Sequence, residues 1–226
     1  MASAVPLARR LFLSGAAAFL CQSCGDSWVK DVPQAARSIF SKGDDLKFTR
    51  DDIARIPYAS IAVRFDEYSQ ALLILGRYDG DELDWISTER EVIVTRRGRL
   101  MKTYGLPDDL KATRFLTADP VGKPIAGASS TAPECARAID LEPRHFDGIV
   151  IRSSFETAGR DDVTILGTAL PTDRWIESNF APVLDWQFRN EFWIDRRSGF
   201  VWKSRQHLSP RLPPLEIVVY KPATPV

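Results

Sequence analysis

Residues 186–208 read WQFRNEFWIDRRSGFVWKSRQHL, and their alternation decides the fold class. Trp186, Phe188, Asn190, Phe192 and Ile194 fall on one side of an extended chain. Gln187, Arg189, Glu191, Trp193 and Asp195 fall on the other. Successive side chains of a strand point to opposite faces, so this period of two predicts one face on a core and one toward water. Asp195-Arg196-Arg197-Ser198-Gly199 is a turn sequence, and the pattern resumes through Phe200, Trp202, Ser204 and Gln206. The segment reads as a β-hairpin carrying three of the six tryptophans.

Working outward, more strands follow. Tyr58 to Phe65 alternates, with Ile61, Val63 and Phe65 on one side. Ser69 to Arg77 is a nearly continuous apolar run. Glu82 to Ser87, Glu91 to Thr95 and Leu100 to Tyr104 are short strands, the last two joined by the basic turn Arg96-Arg97-Gly98-Arg99. Leu215 to Tyr220 is a final strand before a Pro-rich tail. Phe146 to Phe155 and Asp162 to Leu170 read as a hairpin around Gly159-Arg160-Asp161. Arg174 to Phe180, between Pro171 and Pro182, reads as a short helical turn. Leu116 to Arg144 contains Pro120, Pro124, Pro133 and Pro143 and is expected to be a long surface loop with a short helix near Cys135. Thr49 can cap a helix whose first turn holds Asp51 and Asp52 and which Pro57 ends. Gln34 to Ser41 has helical spacing and reads as a short helix or tether. The expected class is mainly β: an antiparallel β-barrel-like or packed-sheet meander with a short N-terminal helix. Residues 51–222 form a single β-rich domain with a loop insertion around 116–144.

Lys plus Arg equal Asp plus Glu, at 30 each. That balance argues against nucleic acid as a partner. The N-terminus carries an export signal over residues 1–23. Arg9 and Arg10 form a positive region, and Leu11 to Leu20 an apolar run too short to span a bilayer. The paired arginines also match a twin-arginine signal, with the general secretory route as the alternative. Removing residues 1–23 leaves 28 basic against 30 acidic residues. Cys24 follows Ser23 and precedes Gly25, as in a bacterial lipobox, and is the expected lipidation site. Cys21 is the alternative, and an ordinary cleavable signal is the plainer reading. Residues 24–50 then act as a membrane tether, with the lipid anchor holding the domain on the membrane. Gly25 after the acylated cysteine is compatible with outer-membrane sorting. Cys135 is left unpaired, with a Cys24–Cys135 disulfide the disfavoured alternative. Two histidines and no CxxC in the exported part give no metal site, and no phosphate-cradling glycine loop or other cofactor motif is present.

The chemistry-bearing residues gather near the long hairpin. Asp185, Glu191 and Asp195 could form the two-carboxylate pair of a glycosidase. However, strand-surface and turn carboxylates are ordinarily just solvated, so no catalytic residue is assigned. An outward Trp193 could stack on a sugar ring, with Arg189 and Arg205 bonding hydroxyls or carboxylates. These three are the candidate ligand-binding residues, against the plainer reading that Trp193 covers the sheet. The turns Arg96-Arg97-Arg99 and Arg196-Arg197 read first as solvated hairpin tips, and His207 as structural.

Three features carry a family resemblance: Leu83-Asp84-Trp85; the Gly98-Arg99-Leu100 to Thr103-Tyr104-Gly105-Leu106 segment; and Phe192-Trp193-Ile194-Asp195 with Ser198-Gly199 and Trp202-Lys203-Ser204. With these the chain resembles the YjbF/GfcB family, bacterial lipoproteins named for group 4 capsule polysaccharide. The resemblance implies an outer-membrane lipoprotein with a barrel-like fold, encoded beside exopolysaccharide or capsule secretion genes. It carries no catalytic residue onto this chain. The expected function is a non-enzymatic accessory on the periplasmic face of the outer membrane, binding polysaccharide or an export-machinery protein. A polysaccharide-modifying enzyme and a carbohydrate-binding module are the alternatives.

Overall fold

The computed structural model describes residues 38–45, 47–66, 68–122, 131–142 and 145–224. The elements run α1 (Arg50–Arg55), β1 (Ser60–Phe65), β2 (Ala71–Asp79), β3 (Glu82–Ile86), β4 (Val92–Arg96), β5 (Arg99–Tyr104) and β6 (Leu110–Phe115). They continue with β7 (Thr131–Leu141), β8 (Phe146–Arg160), β9 (Val163–Ile165), β10 (Thr168–Leu170) and β11 (Thr172–Ala181). A 3-10 turn (Pro182–Leu184) leads to β12 (Trp186–Asp195), β13 (Val201–Gln206) and β14 (Leu215–Lys221).

Twelve strands form one antiparallel sheet in the order β5-β4-β3-β2-β1-β14-β13-β12-β11-β8-β7-β6, with β9 and β10 apart as a small hairpin. The two ends of that order, β5 and β6, are consecutive in the chain. Thr103 ties them: its hydroxyl donates to Asp109 Oδ1 at 2.8 Å and accepts from the Leu110 amide at 2.9 Å. The sheet is therefore a nearly closed barrel, as the sequence class anticipated. Curling the two ends together hides edges that would otherwise recruit other strands.

Helix α1 forms where the sequence placed it. The Thr49 hydroxyl accepts from the Asp52 amide while Asp52 Oδ2 accepts from the Thr49 amide at 2.9 Å, which satisfies two otherwise orphaned donors. Its buried Ile53 packs with Ile56 on Leu72 and Ile74 of β2, a second apolar layer apart from the main core.

Four sequence expectations are corrected. Part of the supposed loop over 116–144 is strand β7, laddered to β6 and β8. The segment 174–180 is not a helical turn but lies inside β11, paired along its length with β8 and β12. Both strands were hidden for one reason: their inward residues include Arg137, Glu177 and Asn179, so the apolar alternation fails. Thirdly, β8 does not pair with Val163–Ile165. That strand folds back on β10 through Leu166 and Gly167, both at positive φ (48° and 76°). Fourthly, residues 38–41 of the expected helix or tether form a turn closed from the Ser41 amide to the Ser38 carbonyl at 3.1 Å, while residues 24–37 of that stretch lie outside the described residues. Ile39 is fully buried and Phe40 stacks on Phe65 at 5.2 Å.

Candidate functional site

The barrel interior is divided by a belt of polar side chains. Along β7, β8, β11 and β12, the inward positions pass from one apolar layer through polar residues to another. On β7 the order is Cys135, Arg137, Ile139; on β8 it is Phe155, Ser153, Ile151. On β12 it is Phe192, Asn190, Phe188. On β11, Glu177 and Asn179 lie between Trp175 and Ala181. Period-two placement therefore lines the polar residues up in one row, and register fixes their neighbours: Glu177 faces Asn190, and Asn179 faces Ser153.

Glu177 is the hub. It has no exposed surface. Its Oε1 accepts from Arg137 Nη1 at 2.8 Å, and its Oε2 from Asn190 Nδ2 at 2.7 Å and from Arg99 Nη1 at 3.1 Å. Arg99, from the opposite wall, also makes a two-pronged contact with Asp119 at 2.8 and 2.9 Å. Arg137 continues to Ser153 Oγ and Asn179 Oδ1. Gln206 completes the belt. Its Oε1 accepts from the Leu100 amide at 3.0 Å, and its Nε2 donates to the Gly98 carbonyl at 2.8 Å. Two arginines thus meet two carboxylates, and the buried charge sums to zero. Burial by itself would raise the Glu177 carboxyl, but Arg137 and Arg99 hold it down at about 2. Burial pulls Arg137 below the usual arginine range, whereas Glu177 and Asp119 overcome burial at Arg99 and push it upward. A carboxylate so committed has neither a free lone pair nor the raised pKa that a general acid needs. The belt is built to hold walls together.

A cavity lies elsewhere, in the half of the barrel made by β1 to β4, β13 and β14. It is a cleft of about 560 Å³ that opens at the hairpin tips. Ile61, Trp85, Val201 and Ile217 are deep in it, all 5% exposed or less. Tyr78 and Phe200, about two-fifths exposed, stand at its mouth. Gly98 lets the β4–β5 turn pack on this cleft, since a Cβ there would lie 2.4 Å from Val201 Cβ.

The sequence candidates are dispersed. Trp193 does lie on the outer face of β12, as its alternation requires, but it is 9% exposed. Its Nε1 donates to Asp161 Oδ2 at 2.8 Å, and the Arg174 and Lys203 cations lie over its ring at 5.4 and 4.8 Å. An open stacking face is therefore corrected to a covered one: charged stems from both neighbouring strands close over the indole. Arg189 is exposed on the same strand, and Arg205 pairs with Asp66. Of the carboxylates, Asp185 is exposed at positive φ after the 3-10 turn, and Glu191 is held by Arg174 at 2.6 Å. Asp195 accepts from the Ser198 amide at 2.8 Å and from the Arg197 amide at 2.9 Å. These bonds, the Ser198 amide foremost, keep it below the usual carboxylate range.

The basic tips also separate. Arg96 lies over Phe115, Arg97 reaches only to 3.8 Å from Asp81, and Arg196 pairs with Asp162 and Asp173. Arg197 is exposed at the β12–β13 tip. Arg99, expected at a solvated tip, is 2% exposed and belongs to the belt. His207 sits against Phe188, and burial lowers its pKa, which keeps it neutral. The Cys135 thiol is free and buried, and burial pushes its pKa up. Cys21 and Cys24 lie outside the described residues. The belt itself went unread in the sequence. Its one local signal is a charged residue, Arg137 or Glu177, at an inward position of a strand.

Comparison with known proteins agrees with this architecture. A solved structure of a hypothetical lipoprotein, YmcC of Escherichia coli K12, superposes with a TM-score of 0.70 at 28% identity, covering 78% of this chain and 90% of that one. The uncharacterized lipoprotein GfcB of Escherichia coli K12 is 29% identical over 95% of this chain and 99% of its own length. The uncharacterized lipoprotein YjbF of the same organism is 29% identical over 79% of this chain and 82% of its own. The profile described as group 4 capsule polysaccharide lipoprotein GfcB, YjbF matches residues 34–219. With that match over most of its length, the chain belongs to the group 4 capsule polysaccharide lipoprotein family.

Proposed function

We propose that this protein is a lipid-anchored, non-enzymatic accessory in the secretion or assembly of a capsule or exopolysaccharide. It is held through Cys24 at the periplasmic face of the outer membrane. Its partner is the polymer or a protein of the export machinery. Family membership over residues 34–219 carries the link to capsule polysaccharide. The non-enzymatic part is supported by the carboxylates: Glu177 is clamped by two arginines, Glu191 by Arg174, and Asp195 by its own turn.

The test is genetic. Deleting the gene is expected to lower the amount of polymer at the cell surface. The wild-type gene restores it, and Cys24→Ser, which releases the protein from the membrane, does not. A double variant, Glu191→Gln with Asp195→Asn, is expected to restore polymer of normal amount and length. Failure of that variant while the protein remains folded and anchored would overturn the non-enzymatic reading.

A further inference from the structure

We propose that the 560 Å³ cleft is a binding site for the single hydrocarbon chain of an anionic amphiphile, with its head group held at the mouth beside Arg97. This goes beyond the export role and stands on separate observations. The volume is that of a small-molecule site, which runs from roughly 300 to 1,000 Å³. Depth and chemistry then select the ligand. Ile61, Val201 and Ile217 present hydrocarbon to the interior. The deeper polar side chains of the lining are already engaged within the protein. Trp85 Nε1 donates to Thr95 Oγ1 at 2.8 Å, and Ser204 Oγ accepts from Gln206 Nε2 at 2.9 Å.

A sugar entering the deep part of this space would lose water from each hydroxyl and find its polar neighbours already bonded, which is costly. An alkyl chain loses nothing of that kind and gains the contact area.

The mouth has the opposite character. Tyr78 and Phe200 are exposed aromatics there, of the kind that sit well at a lipid–water boundary. Arg97 is half-exposed and only loosely ion-paired with Asp81, at 3.8 Å and without a hydrogen bond, so its guanidinium can turn to a carboxylate or phosphate. The C-terminal tail closes one side, where Tyr78 OH donates to the Thr224 carbonyl at 2.9 Å and Ala223 lines the cleft.

The experiment uses the full chain with Cys21→Ser and Cys24→Ser, so that it carries no acyl group of its own. Fluorescence of cis-parinaric acid is expected to saturate at one molecule per chain. Ala223→Trp, which fills the cleft from outside the sheet, and Val219→Trp, which fills it from β14, should each weaken binding at least about tenfold with an unchanged melting temperature. Arg97→Glu should weaken it about fivefold, the scale of an exposed charge contact. Displacement by palmitate but not by lysophosphatidylglycerol identifies a free fatty acid, and displacement by both identifies a lipid tail with either anionic head. Photoreactive palmitate is expected to label residues 78–85 or 217–223, a readout that needs no substitution. The proposal is overturned by non-saturable fluorescence, by undiminished binding in folded Ala223→Trp, by labelling elsewhere, or by displacement with a soluble oligosaccharide.

Discussion

Glu177 Oε1 lies 2.8 Å from Nη1 of Arg137, two strands away across β8, with both side chains inside the barrel. The pair exists because β7, β8 and β11 are in a register that stacks inward positions. Removing the Glu177 charge leaves Arg137 without its carboxylate partner and Arg99 with Asp119 alone. Glu177→Gln keeps the shape and is expected to destabilise the fold by about 3–5 kcal/mol, the cost of an uncompensated buried charge. Urea unfolding checks this, and a loss under about 1 kcal/mol would mean that the arginines find other partners.

Acid should reveal the same pair. The Glu177 carboxyl is held at about 2 in the folded chain, below its ordinary value of 4.5. Between those values the unfolded state binds the proton more readily. The stabilisation is therefore complete above about pH 4.5 and is lost as pH falls toward about 2. The unfolding free energy of the wild type should drop over this window, by on the order of 3 kcal/mol from this group. The Glu177→Gln protein should lack that component.

Two of the hairpin-tip glycines, Gly98 and Gly80, offer a matched comparison. Gly98 is at φ +86° with Val201 Cβ only 2.4 Å from where its own Cβ would be, whereas Gly80 is at φ +62° in open space. Gly98→Ala is expected to cost about 2–4 kcal/mol, from backbone strain and overlap together. Gly80→Ala should cost about 1 kcal/mol, from the backbone alone. Equal losses in thermal unfolding would contradict the close packing at Gly98.

Trp193 should behave as a packing residue. Trp193→Ala is expected to cost about 3 kcal/mol. Trp193→Phe should cost about 1 kcal/mol, mainly the bond to Asp161. Neither is expected to change retention on an immobilised polysaccharide. Selective loss of retention in a stable Trp193→Phe protein would restore the surface-stacking role.

The buried Cys135 thiol is expected to resist maleimide in the native protein and to react promptly in urea, as mass spectrometry of the intact chain would show. Rapid native labelling would mean that the layer around Phe155 and Trp175 opens easily.

What was legible in the sequence follows from these contacts. The Trp186–Leu208 hairpin, the Thr49 cap and strands β1 to β5 could be read because their inward residues are apolar or their turns carry glycine. Strands β7 and β11 could not, since Arg137, Glu177 and Asn179 look like surface residues until their partners are known. The partners are remote: Arg99 is 78 residues from Glu177. Periodicity sees one strand at a time and cannot distinguish an inward charge that is neutralised from an outward one that is solvated. The same limit misplaced Arg99, whose turn-like neighbourhood is basic, and Trp193, whose outward position is sound but whose cover comes from Arg174 and Lys203.

Gln206 also has a bearing on time. Its bonds to Leu100 and Gly98 span 106 and 108 residues. Single hairpins form in microseconds, but contacts between such distant parts of a chain must first meet the entropy of closing a large loop. A β-barrel of this kind folds in roughly milliseconds to seconds. The belt is therefore assembled late, and it acts as the latch of the folding reaction. Before it engages, the arginines and Glu177 remain hydrated, the two apolar layers are apart, and the strand edges at β5 and β6 are open to other chains. That interval is when the chain is most open to pairing with other chains.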